Sequence, residues 1–561
     1  MPQKRKRIAV LDLETDPFEY GKVPQPFVAG LYDGQDFMYI WSPDCIAKIV
    51  ERLAKWKEPL IIFAHNGGKF DWLYFLEYLP PGEMRIVNNR IIQARLGDHI
   101  LRDSFAILPF PLKDFDKDDI DYDKMRKEVR EQHREEIIKY LRKDCTALHE
   151  LVSAFFDEFG DKLTVGSSSM KQLQRFHSFT RGGERFDEKF RDDFYFGGRN
   201  QCFKAGIIRQ PLKIYDVNSM YPYVMKSYLH PIGTSYTIST RVEHNTCFVV
   251  ATGYNYGAFP MRTKDGSLDF TVPHGRFSTT IHEWNAALET GAFKPTKVHK
   301  TYGFDERITF AEFIDHFYDE RAAARARGDK IHALFYKFVL NSAYGKFAQN
   351  PENFYEWCIT HADEVLNEQC PVCPKEINPD CLHCQGSGFK WTPAAIHQGK
   401  YTIWQSPLLQ HHFYNVTTGA SITGAARAVL LRGISHAVNP IYCDTDSIIC
   451  EALEGLPLSE SDLGAWKLEG SGDLAAVCGK KLYAVYASKG DCVDCKGNNH
   501  TPDVHPRELV TVKKAHKGAR LSGDEIMRIA KGDTIEYANP VPCFKLDGNH
   551  VFTKRKIRRT A

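Results

Sequence analysis

The chain lacks the features that would direct it to a membrane or to secretion. Among its 561 residues, no apolar run reaches the roughly 18 residues that a membrane-spanning helix requires. The basic start, Met1–Arg7, leads straight into a predicted strand rather than into the apolar stretch of a signal peptide. We therefore expect a cytoplasmic protein with no membrane partner.

A strong net charge is also missing. The formal charge is only +2, so binding to nucleic acid would depend on local basic surfaces rather than on a global field. Lys513–Arg520 and Lys554–Arg559 are candidates, although for either run alone a solvated face is the simpler interpretation. The length predicts several domains, roughly three to five, and 43% hydrophobic residues are enough to form their cores.

The 15 cysteines do not follow the spacing of a secreted disulfide scaffold. Two C-x-x-C pairs, Cys370 with Cys373 and Cys381 with Cys384, are separated by seven residues. Four thiolates in this pattern predict a tetrahedral zinc site, which is structural because four cysteines leave no open coordination position. A looser cluster is either a second zinc site or a surface hairpin with idle thiols, and its residues are Cys492, Cys495, His500 and His505.

An acidic turn lies within the apolar segment Ile441–Ile449. Asp444 and Asp446 stand at the break between two β-forming runs, which predicts two strands joined by a tight turn. A core would not accept both charges without partners, so a divalent metal ion is the expected occupant of the tip. An acidic surface turn is the alternative. A second short apolar run places Asp216 at its end.

Three motifs then appear in order along the chain. They are Asp216-x-x-Ser219-x-Tyr221-Pro222, Lys337-x-x-x-Asn341-Ser342-x-Tyr344-Gly345, and Tyr442-x-Asp444-Thr445-Asp446. Together they resemble the three polymerase motifs of the family B DNA polymerases. The resemblance implies that Asp216, Asp446 and the Val217 carbonyl bind two Mg²⁺ or Mn²⁺ ions, while Asp444 supports the site. Such a metal pair activates the primer hydroxyl and stabilises the leaving pyrophosphate.

A second acidic set lies near the start of the chain. Asp12 and Glu14 are two apart on a predicted strand, so both project from one face, where paired acids favour a cation. Asp71 follows a buried strand and a Gly-Gly break at the start of a predicted helix. Tyr140 and Asp144 are four apart in a long helical pattern and therefore share a face.

These acids resemble the proofreading 3′–5′ exonuclease domain of the same family. The resemblance implies that Asp12, Glu14, Asp71 and Asp144 bind two Mg²⁺ or Mn²⁺ ions and that Tyr140 orients the attacking water. Further residues match positions that hold the single-stranded 3′ end in relatives, and they are Thr15, His65, Asn66, Phe70, Ser104 and Phe105. Phe70 and Phe105 can stack on bases, but each one alone is equally compatible with a core position.

Other residues are assigned to nucleotide and DNA by the same resemblance. Residues 310–349 have a helical pattern with a polar, lysine-bearing stripe that suits a triphosphate. Lys337 and Arg321 would neutralise the phosphates, and Tyr221 would lie under the sugar and exclude a 2′-hydroxyl. Tyr344 would lie against the nascent base pair, supported by Asn341. The expected DNA contacts are Ser219, the Tyr195-x-Gly197-Gly198 loop, and the K-x-Y residues Lys481 and Tyr483.

The length, an exonuclease motif near residue 12 and two insertions are similar to the protein-primed branch of the family, found in small linear phages and linear plasmids. The implied fold is α/β plus α+β multidomain, an RNase H-like exonuclease domain followed by a right-hand polymerase with two insertions. The implied segments are exonuclease 1–180, linker and palm 181–227, first insertion 228–304, fingers 305–349, second insertion with the zinc site 350–405, palm 406–505 and thumb 506–561.

The sequence therefore predicts a monomeric DNA-directed DNA polymerase with a proofreading exonuclease. Its partners would be a DNA template, a primer terminus, deoxynucleoside triphosphates and a terminal protein, whose hydroxyl replaces a nucleic-acid primer and which contacts the first insertion. One alternative is a family B polymerase that extends ordinary primers. Another is a non-catalytic, zinc-containing nucleic-acid-binding protein that has kept the polymerase shell.

Overall fold

The computed structural model describes residues 7–112, 119–349, 355–374, 376–381, 383–408, 415–489 and 508–560. The chain divides into two compact units, and each is assembled from separate stretches of sequence. The first unit comprises 1–171, 350–411 and 538–554, and the second comprises 172–349, 412–537 and 555–561. Within the described ranges, no helix combines the length and the apolar character needed to cross a bilayer.

The described residues contain eleven α-helices. They are α1 Cys45–Ala54, α2 Asp71–Tyr74, α3 Arg134–Phe159, α4 Val165–Phe176, α5 Glu184–Phe194, α6 Met220–Ser227, α7 Ile281–Glu289, α8 Ala311–Ala326, α9 Lys330–Phe347, α10 Val416–Ser435 and α11 Gly523–Ala530.

The strands of the same ranges fall into several sheets. They are β1 Arg7–Thr15, β2 Pro26–Tyr32, β3 Phe37–Trp41, β4 Leu60–Ala64, β5 Gly82–Val87, β6 Arg90–Leu96, β7 His99–Asp103, β8 Asn200–Cys202, β9 Gly206–Val217, β10 His230–Pro231, β11 Thr237–Ser239, β12 Thr246–Asn255, β13 Met261–Arg262, β14 Leu268–Asp269, β15 His274–Thr280, β16 Phe293–Gly303, β17 Arg307–Ile308, β18 Tyr355–His361, β19 Thr392–His397, β20 Tyr401–Pro407, β21 Ala437–Val438, β22 Tyr442–Asp444, β23 Ser447–Cys450, β24 Ala452–Leu453, β25 Trp466–Gly479, β26 Leu482–Lys489, β27 Glu508–His516, β28 Ile535–Ala538, β29 Cys543–Phe544, β30 His550–Val551 and β31 Lys554–Ile557.

A ten-stranded sheet forms the core of the first unit, in the order β19-β20-β18-β5-β6-β7-β4-β1-β2-β3. β1 pairs in parallel with β4, and β4 pairs in parallel with β7, whereas β2 and β3 continue the sheet in antiparallel fashion. The long helix α3 packs against β1 and β2, where Gly30 leaves room for the Leu141 side chain. This packing brings the helix that carries Tyr140 and Asp144 to the strand that carries Asp12 and Glu14.

Three strands of this sheet come from the predicted second insertion. β18 pairs with β5, with Trp357 opposite Met84 and Ile359 opposite Gly82. β20 pairs with β18, and β19 pairs with β20. The insertion strands therefore belong to the same sheet as the predicted exonuclease strands, and the apolar side chains of both lie in one core.

The second unit is built on an antiparallel seven-stranded sheet, in the order β27-β26-β25-β9-β23-β22-β8. β9 lies at its centre, between β25 and β23. The helix α10 is buried along most of its length, because small residues allow its neighbours to approach closely. A side chain at Gly424 would meet Thr280, and one at Gly433 would meet Trp466.

The predicted first insertion is rich in regular β-structure. It holds a four-stranded sheet in the order β11-β16-β12-β15 and the helix α7, which begins with a capping box between Thr280 and Glu283. The range 310–349 is helical as predicted, with one interruption. The structure has two helices, α8 and α9, because Gly328 adopts φ +75° and Asp329 caps the second helix through the His332 amide.

Candidate active sites

The acids predicted for the palm, Asp216, Asp444 and Asp446, are brought together by the register of their strands. β22 and β23 form an antiparallel pair in which Asp444 lies opposite Ser447, and Ser447 in turn lies opposite Asp216 of β9. The Val217 amide donates to the Asp446 carbonyl at 2.8 Å. Thr445 at the tip has φ +57°, which is unusual for a β-branched residue. The backbone alone therefore places Asp216 beside Asp446, as the motifs predicted.

The electrostatics of this pair favour a cation. Burial, together with the charge of Asp446, raises the pKa of Asp216 to about 7. Burial also raises the pKa of Asp446 to about 6, with a contribution from the charge of Asp444. Half-buried carboxylates that repel each other are a donor set that suits Mg²⁺ or Mn²⁺, because a divalent ion removes the repulsion and replaces lost hydration.

Asp444 has different partners from Asp446. Its carboxylate accepts from the Thr445 hydroxyl at 3.2 Å and from the Tyr442 hydroxyl at 3.5 Å, and the Lys481 ammonium lies 3.9 Å away. The Lys481 amide donates to the Tyr442 hydroxyl at 3.0 Å. The Tyr483 ring lies 4.5 Å from that of Tyr442. Both K-x-Y residues predicted to contact DNA therefore lie beside the acidic turn.

The two tyrosines predicted to flank the nucleotide stack on each other. The Tyr221 and Tyr344 ring centroids are 3.8 Å apart with an interplanar angle of 10°. Tyr221 belongs to α6, which starts after Ser219 in a left-handed conformation. Burial, together with the Tyr344 hydroxyl, raises the pKa of Tyr221. A nucleotide base or sugar placed between these rings would have to replace this mutual stacking.

The predicted phosphate-binding side chains lie on the paired helices α8 and α9. Lys337 and Asn341 are exposed on α9. Arg321 of α8 is half-buried, and burial together with the charge of Arg325 lowers its pKa. A guanidinium in that position would be stabilised by a bound anion.

Arg427 is a site-supporting residue that the sequence analysis missed. It forms a bidentate ion pair with Glu283 at 2.7 and 3.0 Å, and each side chain is only 3% exposed. Its Nη1 also donates to the carbonyls of Phe196 and Gly197 in the Tyr195–Gly198 loop. An isolated arginine inside the small and apolar run Ala420–Leu431 was the available signal.

The loop held by Arg427 lies against the acidic turn. The Thr445 amide donates to the Arg199 carbonyl at 2.7 Å. A Cβ atom on Gly198 would lie 2.5 Å from the Thr445 hydroxyl, whereas one on Gly197 would meet nothing within 4 Å. The second glycine of the pair is therefore required by a close approach to the acidic turn, and the first is not.

The acids of the first unit meet at the end of β1. Ligand atoms of Asp12, Glu14 and Asp144 all lie within 4.8 Å of one another. Asp71 is the first residue of α2, and burial followed by the charge of Asp12 raises its pKa well above the usual value. Asp12, Glu14 and Asp144 form a group that fits divalent ions, and Asp71 is near enough to be affected by the charge of Asp12 but is not part of that group.

Tyr140 lies one turn before Asp144 on α3. Burial, with a further contribution from the charge of Asp144, raises its pKa, so the hydroxyl keeps its proton. The Tyr122 hydroxyl is 3.3 Å from the Tyr140 hydroxyl. Tyr122 was not predicted from the sequence.

The predicted single-strand contacts lie around β4 and the end of β7. His65 is hydrogen-bonded to the Ser104 hydroxyl at 3.0 Å and to the Phe110 carbonyl at 2.9 Å. Asn66 has φ +62°. The Phe105 ring lies under the Arg90 guanidinium at 4.7 Å. The remaining predicted contacts are Thr15, which is buried, and Phe70, whose ring contacts Phe18, Tyr74 and Phe544.

The four cysteines predicted to bind zinc converge. The Sγ atoms of Cys370, Cys373, Cys381 and Cys384 all lie within 4.8 Å of one another. The second predicted cluster, comprising Cys492, Cys495, His500 and His505, lies outside the described residues.

Two comparisons identify the family. The family model described as DNA polymerase type B, organellar and viral, matches residues 113–376. The chain is also 43% identical, over 577 aligned positions that span both chains completely, to the DNA-directed DNA polymerase of Enterobacteria phage PRD1. The chain therefore belongs to the type B DNA polymerases of organelles and viruses.

More distant relatives and a solved structure extend this result. The DNA polymerase of Bacillus phage phi29 is 26% identical over 458 residues, covering 74% of this chain and 72% of the relative. A probable DNA polymerase of Agaricus bitorquis is 23% identical over 584 residues, covering 82% and 71%. The structure of phi29 DNA polymerase with primer-template DNA matches at a TM-score of 0.69 and 18% identity, covering 99% and 100%. This match confirms the predicted fold, an exonuclease domain followed by palm, fingers and thumb.

Proposed function

We propose that this DNA polymerase has two separate active sites, one that extends a DNA primer and one that trims its 3′ end. The observation that carries the proposal is the presence of two carboxylate clusters in different compact units. Asp216 and Asp446 lie in the second unit, and Asp12, Glu14, Asp71 and Asp144 lie in the first. Each cluster combines burial with mutual repulsion, as a site for divalent ions requires.

At the palm, Asp216, Asp446 and the Val217 carbonyl would hold Mg²⁺ or Mn²⁺, with Asp444 in support. When bound, the metal ions lower the pKa of the attacking hydroxyl and offset phosphate charge. Lys337 and Arg321 neutralise the triphosphate, and Tyr221 and Tyr344 position its sugar and base. Asn341 supports Tyr344. Lys481, Tyr483, Ser219 and the Tyr195–Gly198 loop hold the DNA strands, which positions the primer without reading its sequence.

At the exonuclease site, Asp12, Glu14, Asp71 and Asp144 would hold the second set of divalent ions. The protonated Tyr140 hydroxyl orients the attacking water. Thr15, His65, Asn66 and Ser104 hold the frayed 3′ end through polar contacts, while Phe70 and Phe105 offer faces on which bases stack.

We also propose that Cys370, Cys373, Cys381 and Cys384 bind one structural zinc ion. The support is the convergence of four thiols in two C-x-x-C pairs. Cys492, Cys495, His500 and His505 remain a candidate for a second site. Metal analysis of the purified chain tests both sites. One zinc ion per chain would support the four-cysteine site alone, and two would support both sites.

We further infer that synthesis starts from a terminal protein in place of a nucleic-acid primer and that the polymerase acts as a monomer. The support for protein priming is the first insertion, which forms its own sheet and capped helix within the second unit. Incubation with a labelled deoxynucleotide and the candidate terminal protein should give a covalent protein–nucleotide adduct. If several partners give no adduct while DNA or RNA primers are extended, the chain is a polymerase of ordinary primers.

Paired substitutions test the two-site proposal. Asp446→Ala should abolish primer extension with Mg²⁺ but retain 3′ trimming, whereas Asp12→Ala should do the reverse. The exposed acids Glu454 and Asp98 provide matched controls, because their replacement by alanine removes a charge from the same units away from both clusters. Loss of both activities in one folded variant would refute the assignment. A wild-type chain that binds DNA but extends nothing would instead favour the non-catalytic alternative.

A further inference from the structure

The segment between β18 and β19 has no apolar core in its described part. Four apolar side chains in this segment, Val365, Val372, Ile377 and Phe389, are between 45% and 64% exposed. By contrast, Cys370 and Cys384 are fully buried and Cys381 nearly so. Among the described residues of this segment, these three thiols form a buried cluster with the partly buried Cys373. A loop that buries thiols and exposes its apolar residues depends on a bound metal for its stability.

The cysteine loop is joined directly to the strands at its base. The Cys370 amide donates to the Gly388 carbonyl at 2.9 Å, and the Lys390 amide donates to the Glu368 carbonyl at 2.8 Å. The Glu368 carboxylate also accepts from the Trp391 indole at 3.0 Å, one residue before β19. Any constraint on the cysteines is therefore transmitted to the start of β19.

His383 provides a second connection, to the far end of β20. It is buried, and its Nδ1 lies 3.4 Å from the Cys370 Sγ. The imidazole also lies near the backbone of Pro407, the last residue of β20. Since four thiols already complete a tetrahedron, His383 is a neighbour that orients a ligand rather than a ligand itself.

These strands are continuous with the sheet that carries the exonuclease acids. Pro407 pairs with Tyr355, the first residue of β18, and β18 pairs with β5. Trp357, Ile359 and Ile403 lie in the same apolar cluster as Leu11 and Leu13, which flank Asp12 on β1. The apolar core thus extends without a break from the strands below the cysteine loop to the strand that carries Asp12 and Glu14.

We propose that the metal bound by the four cysteines, with His383 as the link to β20, locks β18, β19 and β20 onto the exonuclease sheet. This inference depends on the zinc site proposed above and adds its role. The zinc ion replaces the missing apolar core of the loop, and its binding energy is used to order three inserted strands. Removing zinc should therefore increase hydrogen exchange in the first unit and leave the exchange of the palm strands β22 and β23 unchanged.

Hydrogen exchange measured by mass spectrometry, with and without a zinc chelator, tests the proposal on the full chain. Zinc content is measured on the same samples. Chelation should speed exchange of β18, β19 and β20 by at least about tenfold, with a smaller effect on β5 and none on β22 or β23. Cys373→Ser should reproduce this pattern. His383→Gln should keep the zinc but speed exchange at β20.

Cys543→Ser is the matched control, because Cys543 is an exposed cysteine of the same unit. This variant should retain its zinc and the slow hydrogen exchange of β18, β19 and β20. A wild-type chain without zinc would overturn the site and this inference together. Zinc that can be removed without a change in β18, β19 and β20, or whose removal loosens β22 and β23 equally, would overturn the locking role alone. If Cys373→Ser does not fold, the chelated wild-type chain still decides the question.

Discussion

The two acidic centres are built in different ways. The palm acids come from β9 and from the turn between β22 and β23, so hydrogen bonds between adjacent strands fix their separation. The acids of the first unit come from β1, α2 and α3, which meet only when a helix packs on a sheet. The palm centre should therefore respond most to changes in backbone contacts near its turn. The other centre should respond most to changes in side-chain packing.

The strongest test of this difference removes the buried support of the palm. Arg427→Ala should lower the free energy of unfolding by about 3–5 kcal/mol, because it leaves the Glu283 carboxylate buried without its partner. It should also weaken primer extension, since the Tyr195–Gly198 loop loses two hydrogen bonds. Denaturant unfolding and an extension assay measure the two effects.

The control for this change lies on the same two helices. Arg432 of α10 pairs with Glu289 of α7 at 2.7 Å, but Glu289 is largely exposed. Arg432→Ala should therefore cost no more than about 1 kcal/mol. Equal losses for both variants would show that burial of the Arg427 pair is unimportant.

A smaller and more local change tests the backbone of the palm turn. Gly198→Ala places a methyl group 2.5 Å from the Thr445 hydroxyl, so either the turn or the loop must shift. A shift of this size should reduce primer extension by roughly a hundredfold and leave 3′ trimming unchanged. Gly197→Ala meets no neighbouring atom within 4 Å and should retain extension. Comparable losses for the two alanines would contradict the proposed close approach.

The matching change in the other centre removes one hydroxyl. Tyr140→Phe should reduce 3′ trimming by about tenfold, because the attacking water loses an orienting group while the ring still packs. Extension should not change. Tyr122→Phe removes the hydroxyl that contacts Tyr140 and should have a weaker effect. Steady-state trimming of a single-stranded oligonucleotide would show whether the order of the two variants is as expected.

The last expected effect is a pH dependence of the stability of the second unit, which contains His230 and His282. Burial lowers the pKa of His230 to about 3 and that of His282 to about 4, and both rings hydrogen-bond to the Ser421 hydroxyl. In the unfolded chain these two histidines bind protons near pH 6.5, whereas in the folded chain they do not. Stability is therefore lost as the pH falls below about 6.5, by about 1 kcal/mol per histidine at pH 5.5.

Unfolding measured at pH 7.5 and 5.5 checks this prediction. His282→Gln should reduce the loss on acidification by about the share of one histidine. The charge of Arg432 also lowers the pKa of His282, so Arg432→Ala should reduce the loss slightly. A pH dependence that is the same in His282→Gln as in the wild-type chain would exclude this pair as its source.

The sequence alone predicted the parts of both centres that are determined locally. The turn between Asp444 and Asp446, the shared strand face of Asp12 and Glu14, and the shared helix face of Tyr140 and Asp144 all follow from periodicity. The position of Asp71 at a helix start follows from the Gly-Gly break before it. These features depend on neighbours within a few residues, so composition and spacing are sufficient.

Contacts between distant parts of the chain were not predictable in this way. Arg427 meets Glu283 across 144 positions of sequence, and the pairing of β18 with β5 joins segments that are further apart still. A single sequence contains no signal for such pairs beyond an arginine in an apolar run. The break between α8 and α9 was also not predicted, although Gly328 and Asp329 gave a local signal for the end of one helix and the start of the next.

The first unit is assembled from three separate stretches of the chain, the last of which is 538–554. A ribosome makes the chain from its N-terminus, so the strands β1–β7 emerge long before β18, β19 and β20 can join their sheet. During synthesis the edge of β5 therefore remains without its final partner, β18, while residues 172–349 of the second unit are made. The unit that begins the chain is among the last parts of the molecule to be completed.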